Sequence, residues 1–339
     1  MVECVFTIDY EIYGNGQGDL RALVFEPARR LQEVFDRAGA KFVNFVEVAE
    51  FSQIERAGTD SASAEVRQQI RELHEQGHET ALHLHPQWAN ARFRDGQWEL
   101  DYAEYNLCVL PPERIARIVD DAIAWLRDVL GEPGFAPVSF RAGNWLFQPT
   151  GAAAAVLAGH GVRIDSSVFK GGLQRQHRLD YRPARRNGWF WNFSDDVNQP
   201  SPGGAMIEMP IYTEMVPFWR MLTGKRVGLQ RKTQTAISRT PTATAKSPKG
   251  MERYLDYMRF RYPLKFDFCR MTLAEMTAMT EKVIAEDRKS PGEFKPMVAI
   301  GHTKDLVDFD TVEAFLRWLR QRKIAVLTLS EAGRLCLSP

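Results

Sequence analysis

The hydrophobic positions of this chain fall into two rhythms that replace one another from end to end. A short apolar run from Glu3 to Ile8 reads as a strand, and Gly14, Gly16 and Gly18 mark a turn after it. Pro27 opens a helix with Leu31, Val34 and Phe35 on one face and Gly39 as its stop. Lys41 to Val48 has strand composition, Ser63 to Gln76 is helical, and His78 to His85 reads as the next strand. Pro112 opens a long amphipathic helix that stops at Gly131, and Val138 to Arg141 follows as a fourth strand. Pro149 to Ala158 is helical, Val162 to Asp165 a fifth strand and Met206 to Tyr212 a sixth. Thr272 and Glu275 form a capping box for a helix that runs to about Arg288. Met297 to His302 is strand, Asp310 to Arg322 a helix with Glu313 at the capping-box position, and Ile324 to Leu329 the last strand.

Strands separated by amphipathic helices build parallel βαβ units, and roughly eight of them predict an α/β chain of the (β/α) barrel type. The glycines after the first strand lack the GxGxxG spacing, which removes the support for a dinucleotide fold. We expect residues 1–339 to form a single enlarged barrel domain with its surplus in two stretches. Gly171 to Gly204 reads as long loops. Residues 215–251 carry eight Lys or Arg and no Asp or Glu. They read as a mobile surface insertion or as an electropositive flap that steers an anionic ligand.

Composition changes the picture in one respect. Forty-four basic against 43 acidic residues give a net charge of +1, which argues against a general nucleic-acid binder. That neutrality averages +8 on the insertion and −7 on the remainder. Cys4, Cys108, Cys269 and Cys336 are scattered without a CxxC pair, so buried free thiols are expected. No signal-like segment and no run of roughly 18 apolar residues occurs, and the expectation is a soluble cytoplasmic protein.

Polar residues collect at the ends of the expected strands. Asp9 and Glu11 are two apart and leave one face of an extended chain, where they repel unless a cation or an arginine intervenes. His83 and His85 repeat that spacing, and imidazoles with a carboxylate are a usual ligand set for zinc and similar ions. His74, His78, His160 and His177 read as scaffold. Ser139 to Trp145 holds Arg141, Ile164 to Val168 holds Asp165, and Ile300 to Asp305 holds His302. In parallel barrels catalytic groups collect at these carboxyl ends. Trp88, Trp98, Trp145, Trp189 and Trp191 offer sugar-stacking faces, although packing explains most of them.

The succession TIDYE, HETALHLHP, FRAGNW, DSSV and IGHTKD, closed by LTLSE, resembles that of the polysaccharide deacetylases (carbohydrate esterase family 4, the NodB homology domain). The nearest branch is the WalW-like one, associated with lipopolysaccharide biosynthesis. The resemblance implies a distorted (β/α)7-8 barrel with loop insertions and a divalent metal cofactor, zinc being the expected ion. It implies that Asp9 is the general base, Arg141 the arginine that orients it, His302 the general acid and Asp165 the aspartate that tunes His302. His83 matches the first metal-binding histidine. The chain departs twice: Tyr10 replaces a second adjacent aspartate, and Gln87 replaces a histidine four residues after His83. Glu11 and His85 are therefore the expected remaining metal ligands. The implied reaction removes an N-acetyl group from an amino sugar or glycan, with the basic insertion favouring a phosphorylated or nucleotide-linked one. Two alternatives stand beside it: the same fold opening a small cyclic amide or ureide, and a non-catalytic carbohydrate-binding subunit. No nucleic-acid partner and no membrane span are expected.

Overall fold

The computed structural model describes residues 1–185, 190–237 and 260–336. Seven parallel strands organise it: β1 (Val2–Tyr10), β2 (Val43–Glu47), β3 (Glu79–Leu84), β4 (Ser139–Ala142), β5 (Ile164–Asp165), β6 (Met206–Glu208) and β7 (Lys295–His302). They pair in the order β6-β5-β4-β3-β2-β1-β7. Just past β6, Ile211 makes parallel bridges to both Phe169 and Val298. The sheet therefore curls until its two ends meet at Ile211, giving the barrel that the strand rhythm predicts, in the distorted form that the resemblance implies.

The closing strand β8 (Val326–Leu327) is shorter than expected and pairs with Cys4 and Val5 of β1. Thr328 and Glu331 exchange backbone and side-chain hydrogen bonds there, so the LTLSE segment turns into a helix instead of extending the strand. Trp191–Phe193 adds one antiparallel edge to β6.

Nine α-helices lie among the described residues: α1 (Glu26–Ala38), α2 (Val48–Ala57), α3 (Ser63–Glu75), α4 (Pro112–Leu130), α5 (Gly151–Gly159), α6 (Gly224–Ile237), α7 (Leu273–Lys289), α8 (Phe309–Gln321) and α9 (Leu329–Cys336). The capping box of Thr272 and Glu275 starts α7 as expected. The cap of α8 differs: Asp308 accepts from Thr311 N at 3.1 Å, while Glu313 pairs with Arg37 of α1. Helix α2 follows β2 directly and was not foreseen. Its first turn is capped by the Glu47 side chain, which accepts from Glu50 N.

One small core lies on the inner face of the sheet and explains where side chains point. Val5, Val43, Phe45, Ala81, Ile164, Met209 and Val298 pack together with Leu329 and Ala332 of α9. Strand side chains alternate faces. From Val5 the inner face continues to Thr7 and Asp9, from Ala81 to His83 and from Val298 to His302. Two larger clusters fill the space between the outer face and the helices.

The described part of the basic insertion is docked rather than loose. Thr213–Val216 pairs antiparallel with Tyr262–Lys265. In α6, Lys225 Nζ bonds Met271 O at 2.7 Å and Asp308 at 3.0 Å, and Arg226 pairs with Glu275 at 2.6 Å. The Arg239 to Gly250 tract lies outside the described residues, as does Trp189. All four cysteines are free. Among the described residues no helix is long and apolar enough to cross a membrane.

Candidate active site

A pocket of about 330 Å³ opens at the carboxyl ends of the strands. Asp9, Glu11, His83, His85 and His302 all line it. Arg141 lies beneath, fully buried, and is held by every nitrogen it has. Its Nη1 donates to Asp9 Oδ1 at 2.6 Å, Nη2 to Thr7 Oγ1 at 2.9 Å and Nε to Ser166 O at 2.8 Å. The guanidinium also lies 4.2 Å from the centre of the Phe45 ring. Such a fixed fork is geometry that lysine cannot reproduce.

Burial alone pushes the Asp9 carboxyl up, but the charges of Arg141, His83 and His302 outweigh it and hold Asp9 below the ordinary range. Glu11 behaves likewise. Burial raises it, while the Lys304 ammonium, His85 and hydrogen bonds from both histidines bring it well below. Lys304 donates to Glu11 Oε1 at 2.7 Å and to Ile12 O at 3.0 Å. Both carboxylates are thus ionised although buried.

The donor atoms of Glu11, His83 and His85 lie within 4.8 Å of one another. Glu11 Oε2 is 3.0 Å from His85 Nε2 and 3.5 Å from His83 Nε2. His83 Nδ1 lies 2.8 Å from Arg141 O. A carbonyl only accepts, so Nδ1 carries the proton and a neutral ring turns the lone pair of Nε2 towards an ionised carboxylate. That atom is buried without a hydrogen-bond partner. Two lone pairs facing each other call for a cation between them, either a proton or a metal. The raised pKa of His83, where Asp9 and Glu11 overcome burial, is the same demand met by a proton. The residues present fit a divalent ion.

Both departures from the deacetylase pattern have a place in this geometry. Tyr10 points to the outer face, where its ring packs edge-on against Phe51 and its hydroxyl donates to Gln69 Oε1 at 2.5 Å. An acid at that position would face the helices, so Glu11 supplies the pocket carboxylate. Gln87 lies behind His85, with Nε2 3.2 Å from His85 Nδ1 and Oε1 buried without a partner. With its amide turned over, Gln87 accepts from Nδ1–H and leaves Nε2 of His85 free to bind metal. Gly143 packs against this histidine so closely that a Cβ would lie 2.8 Å from His85 Cγ, which is why the FRAGNW turn needs glycine there.

His302 Nε2 is 3.4 Å from Asp9 Oδ2 and 3.9 Å from Glu11 Oε1. Burial lowers its pKa despite Asp9 and Glu11. The expected pairing of Asp165 with His302 is not made, and His302 Nδ1 is buried without a hydrogen-bond partner. The physical reason is parity. Ile164 points inward, so Asp165 points outward and Ser166 takes the inner position against Arg141. Asp165 instead accepts from Ser167 Oγ at 2.7 Å and faces Glu208, whose Oε1 accepts from Val168 N at 3.2 Å. Burial and the Asp165 charge hold Glu208 well above the ordinary carboxyl range, so Glu208 keeps its proton and donates it to Asp165.

Sequence reasoning missed several charged residues here. Glu47 and Glu50, at the β2–α2 junction, are buried beneath Glu11 and are raised by burial and by neighbouring carboxylates. Glu47 Oε2 accepts from His85 N at 2.7 Å, and Glu50 Oε1 from Ile12 N at 2.8 Å. Lys304 stood inside a quoted motif, whereas Lys265, Asp267 and Arg270 lie beyond the basic tract with no motif around them. His74, His78, His160 and His177 are not among the pocket-lining residues. Of the five tryptophans singled out, Trp145 lines the pocket, while Trp88 and Trp191 are buried in packing.

No family model and no curated relative matches the chain. Solved structures do. A Mycobacterium smegmatis protein described as a polysaccharide deacetylase superposes with a TM-score of 0.52 at 15% identity, covering 100% of this chain and 92% of that one. GH57 branching enzymes from Thermococcus kodakaraensis and Pyrococcus horikoshii each give a TM-score of 0.53, at 13% and 10% identity. They cover 97% and 99% of this chain and 70% and 71% of their own. At these identities the likeness is one of fold, and the fold of this chain is the curled α/β barrel of the deacetylase type.

Proposed function

We propose that the chain is a metal-dependent hydrolase that removes the N-acetyl group of an amino sugar in glycan or lipopolysaccharide assembly. The observation that supports it best is the meeting, in one pocket, of an ionised Asp9 clamped by Arg141 with the Glu11, His83 and His85 cluster and with His302. Glu11, His83 and His85 would hold the divalent ion, zinc by the chemistry of one carboxylate and two imidazoles. When bound, such an ion supplies polarisation of the amide carbonyl and a more acidic water. Asp9 accepts the proton of the attacking water, and Arg141 keeps its carboxylate ionised and aimed. His302 delivers a proton to the departing amine, which leaves poorly without one. Lys304 fixes Glu11, and Trp145 closes one wall beside His302.

Acetate release from N-acetylhexosamines and their oligomers, with and without Zn²⁺, tests the proposal. Asp9→Asn and His302→Ala variants that keep full activity would sink it. The pocket volume of about 330 Å³ suits one ring, so a small cyclic amide or ureide is a second reading. Ring opening of such a compound without acetate release from any sugar selects it.

A further inference from the structure

The pocket-lining cations differ in one respect. Lys304 is paired with Glu11, Arg270 with Asp305 at 2.5 Å and Arg226 with Glu275 at 2.6 Å. Lys265 has no carboxylate at ion-pair distance among the described residues. Its Nζ lies instead 3.2 Å from the centre of the Trp145 indole and 4.8 Å from that of Phe169. An aromatic face steadies an ammonium on one side and offers its N–H donors nothing on the other. That other side belongs to the pocket that Lys265 lines.

Trp145 is itself held in place for this contact. Asn144 and Trp145 both have left-handed backbone angles, with φ of 54° and 61°, which non-glycine residues seldom adopt. Trp145 O accepts from Tyr181 Oη at 2.6 Å and from Phe147 N at 3.0 Å, and these bonds fix the turn. The same indole meets His302 edge-on at 6.2 Å. Lys265 and His302 are therefore both neighbours of one ring. A group bound to Lys265 sits within one sugar's reach of the reacting amide.

We propose that Lys265 anchors an anionic group of the substrate, so that the amino sugar taken by this pocket carries a carboxylate or a phosphate beside its N-acetyl group. The proposal rests on the deacetylase reading and narrows its substrate class. The setting agrees with it. Lys265 shares the pocket lining with Arg226, Arg270 and Lys304, so cations outnumber unpaired anions on this side of it. Burial pushes the Lys265 amine down to about 7; Asp267 and Asp9 pull it up, while Arg270 and Arg141 press it lower. An arriving anion adds the countercharge that is missing, so the amine becomes fully protonated on binding.

Calorimetric titration of the Zn²⁺-loaded full chain at pH 7, in two buffers of different ionisation heat, tests this. The probes are N-acetylglucosamine, N-acetylglucosamine 6-phosphate and N-acetylglucosaminuronic acid. The anionic sugars should bind roughly ten- to a hundredfold more tightly than the neutral one, as a charge-assisted hydrogen bond implies. The uronic acid, which does not itself titrate near neutrality, should bring uptake of about half a proton. Lys265→Met should abolish both effects. Lys265→Arg should keep the preference and lose the uptake, a pattern that a merely packed lysine does not produce. Preference for one anionic probe alone identifies phosphate or carboxylate as the group recognised. Equal binding of all three sugars, no binding of either anionic sugar, or an anionic preference that survives Lys265→Met overturns the anchor. Acetate release is read separately: release without anionic preference removes the anchor and keeps the deacetylase reading, and preference without release does the reverse.

Discussion

Two pairs of carboxyl groups sit in the same barrel at nearly the same burial, and one pair is doubly ionised while the other keeps a proton. Asp9 and Glu11 are 2% and 3% exposed, and Asp165 and Glu208 are both fully buried. Burial alone would therefore neutralise all four. Asp9 has Arg141 and Glu11 has Lys304, each with a bond of 2.6 or 2.7 Å, and both carboxyls are held ionised. Neither Asp165 nor Glu208 has a cation in contact, and Glu208 keeps a proton between them. Supply of cations, not depth, decides which carboxylates are available for chemistry. Arg141 makes its direct ion pair with Asp9 alone and reaches Asp165 and Glu208 only through the weaker pull of its charge at a distance. Ser166 and Ser167 stand between the arginine and the outer pair, taking its Nε proton on a carbonyl and the Ala142 N–H on a hydroxyl.

The largest break in that comparison is Arg141→Met. It leaves Asp9 buried, charged and unpaired, a loss of about 3–5 kcal/mol in urea unfolding at pH 7, with acetate release abolished. Adding Asp9→Asn should recover much of the stability and none of the activity. If Arg141→Met costs no more than a change at Glu208, the two pairs do not differ as argued.

Metal addition is next in size. At a free Zn²⁺ concentration a hundred times its dissociation constant, stabilisation is about 2.7 kcal/mol. A thermal-shift titration should lose this response in His83→Ala and Glu11→Gln and retain it in Glu208→Gln. Retention in all three would dissociate the metal from the inner pair. Glu208→Ala comes third, at about 1–3 kcal/mol, because Val168 N loses its acceptor and Asp165 its proton donor.

The sequence showed the inner pair and hid the outer one, and the reason is the range over which each is specified. Asp9 with Glu11 and His83 with His85 are local, two-residue spacings on strands whose inner face follows from period-two alternation. The same alternation places Ser166 inward and Asp165 outward, but only once the packing of Ile164 fixes which face is the inner one. Glu208 lies 43 positions from Asp165 and meets it only through the β5–β6 pairing. Lys265 was illegible for a like reason, since its place beside Trp145 is set by antiparallel pairing with Thr213 across the insertion. The seven barrel strands were legible because they are short apolar runs between capped helices. Helix α2 was not, because it starts one residue after β2 with no glycine or proline between.

The smallest effect is the most discriminating. Glu208→Gln should change stability at neutral pH by less than about 1 kcal/mol, since the amide can accept from Val168 N and donate to Asp165 as the protonated carboxyl does. Its signature is the pH dependence. A carboxyl raised by folding contributes stability that is present in full below the ordinary carboxylate range and fades as pH rises through its folded value. Asp9 and Glu11 are lowered, so their contribution is present above that range and disappears as pH falls through their folded values. Urea midpoints of the metal-free protein should therefore fall on both sides of an optimum. In Glu208→Gln the alkaline limb becomes shallower, with Glu47 and Glu50 supplying what remains of it, while the acid limb is unchanged. An acid limb that moves with this substitution would mean that the two carboxyl pairs titrate together, coupled through the Arg141 charge that both feel.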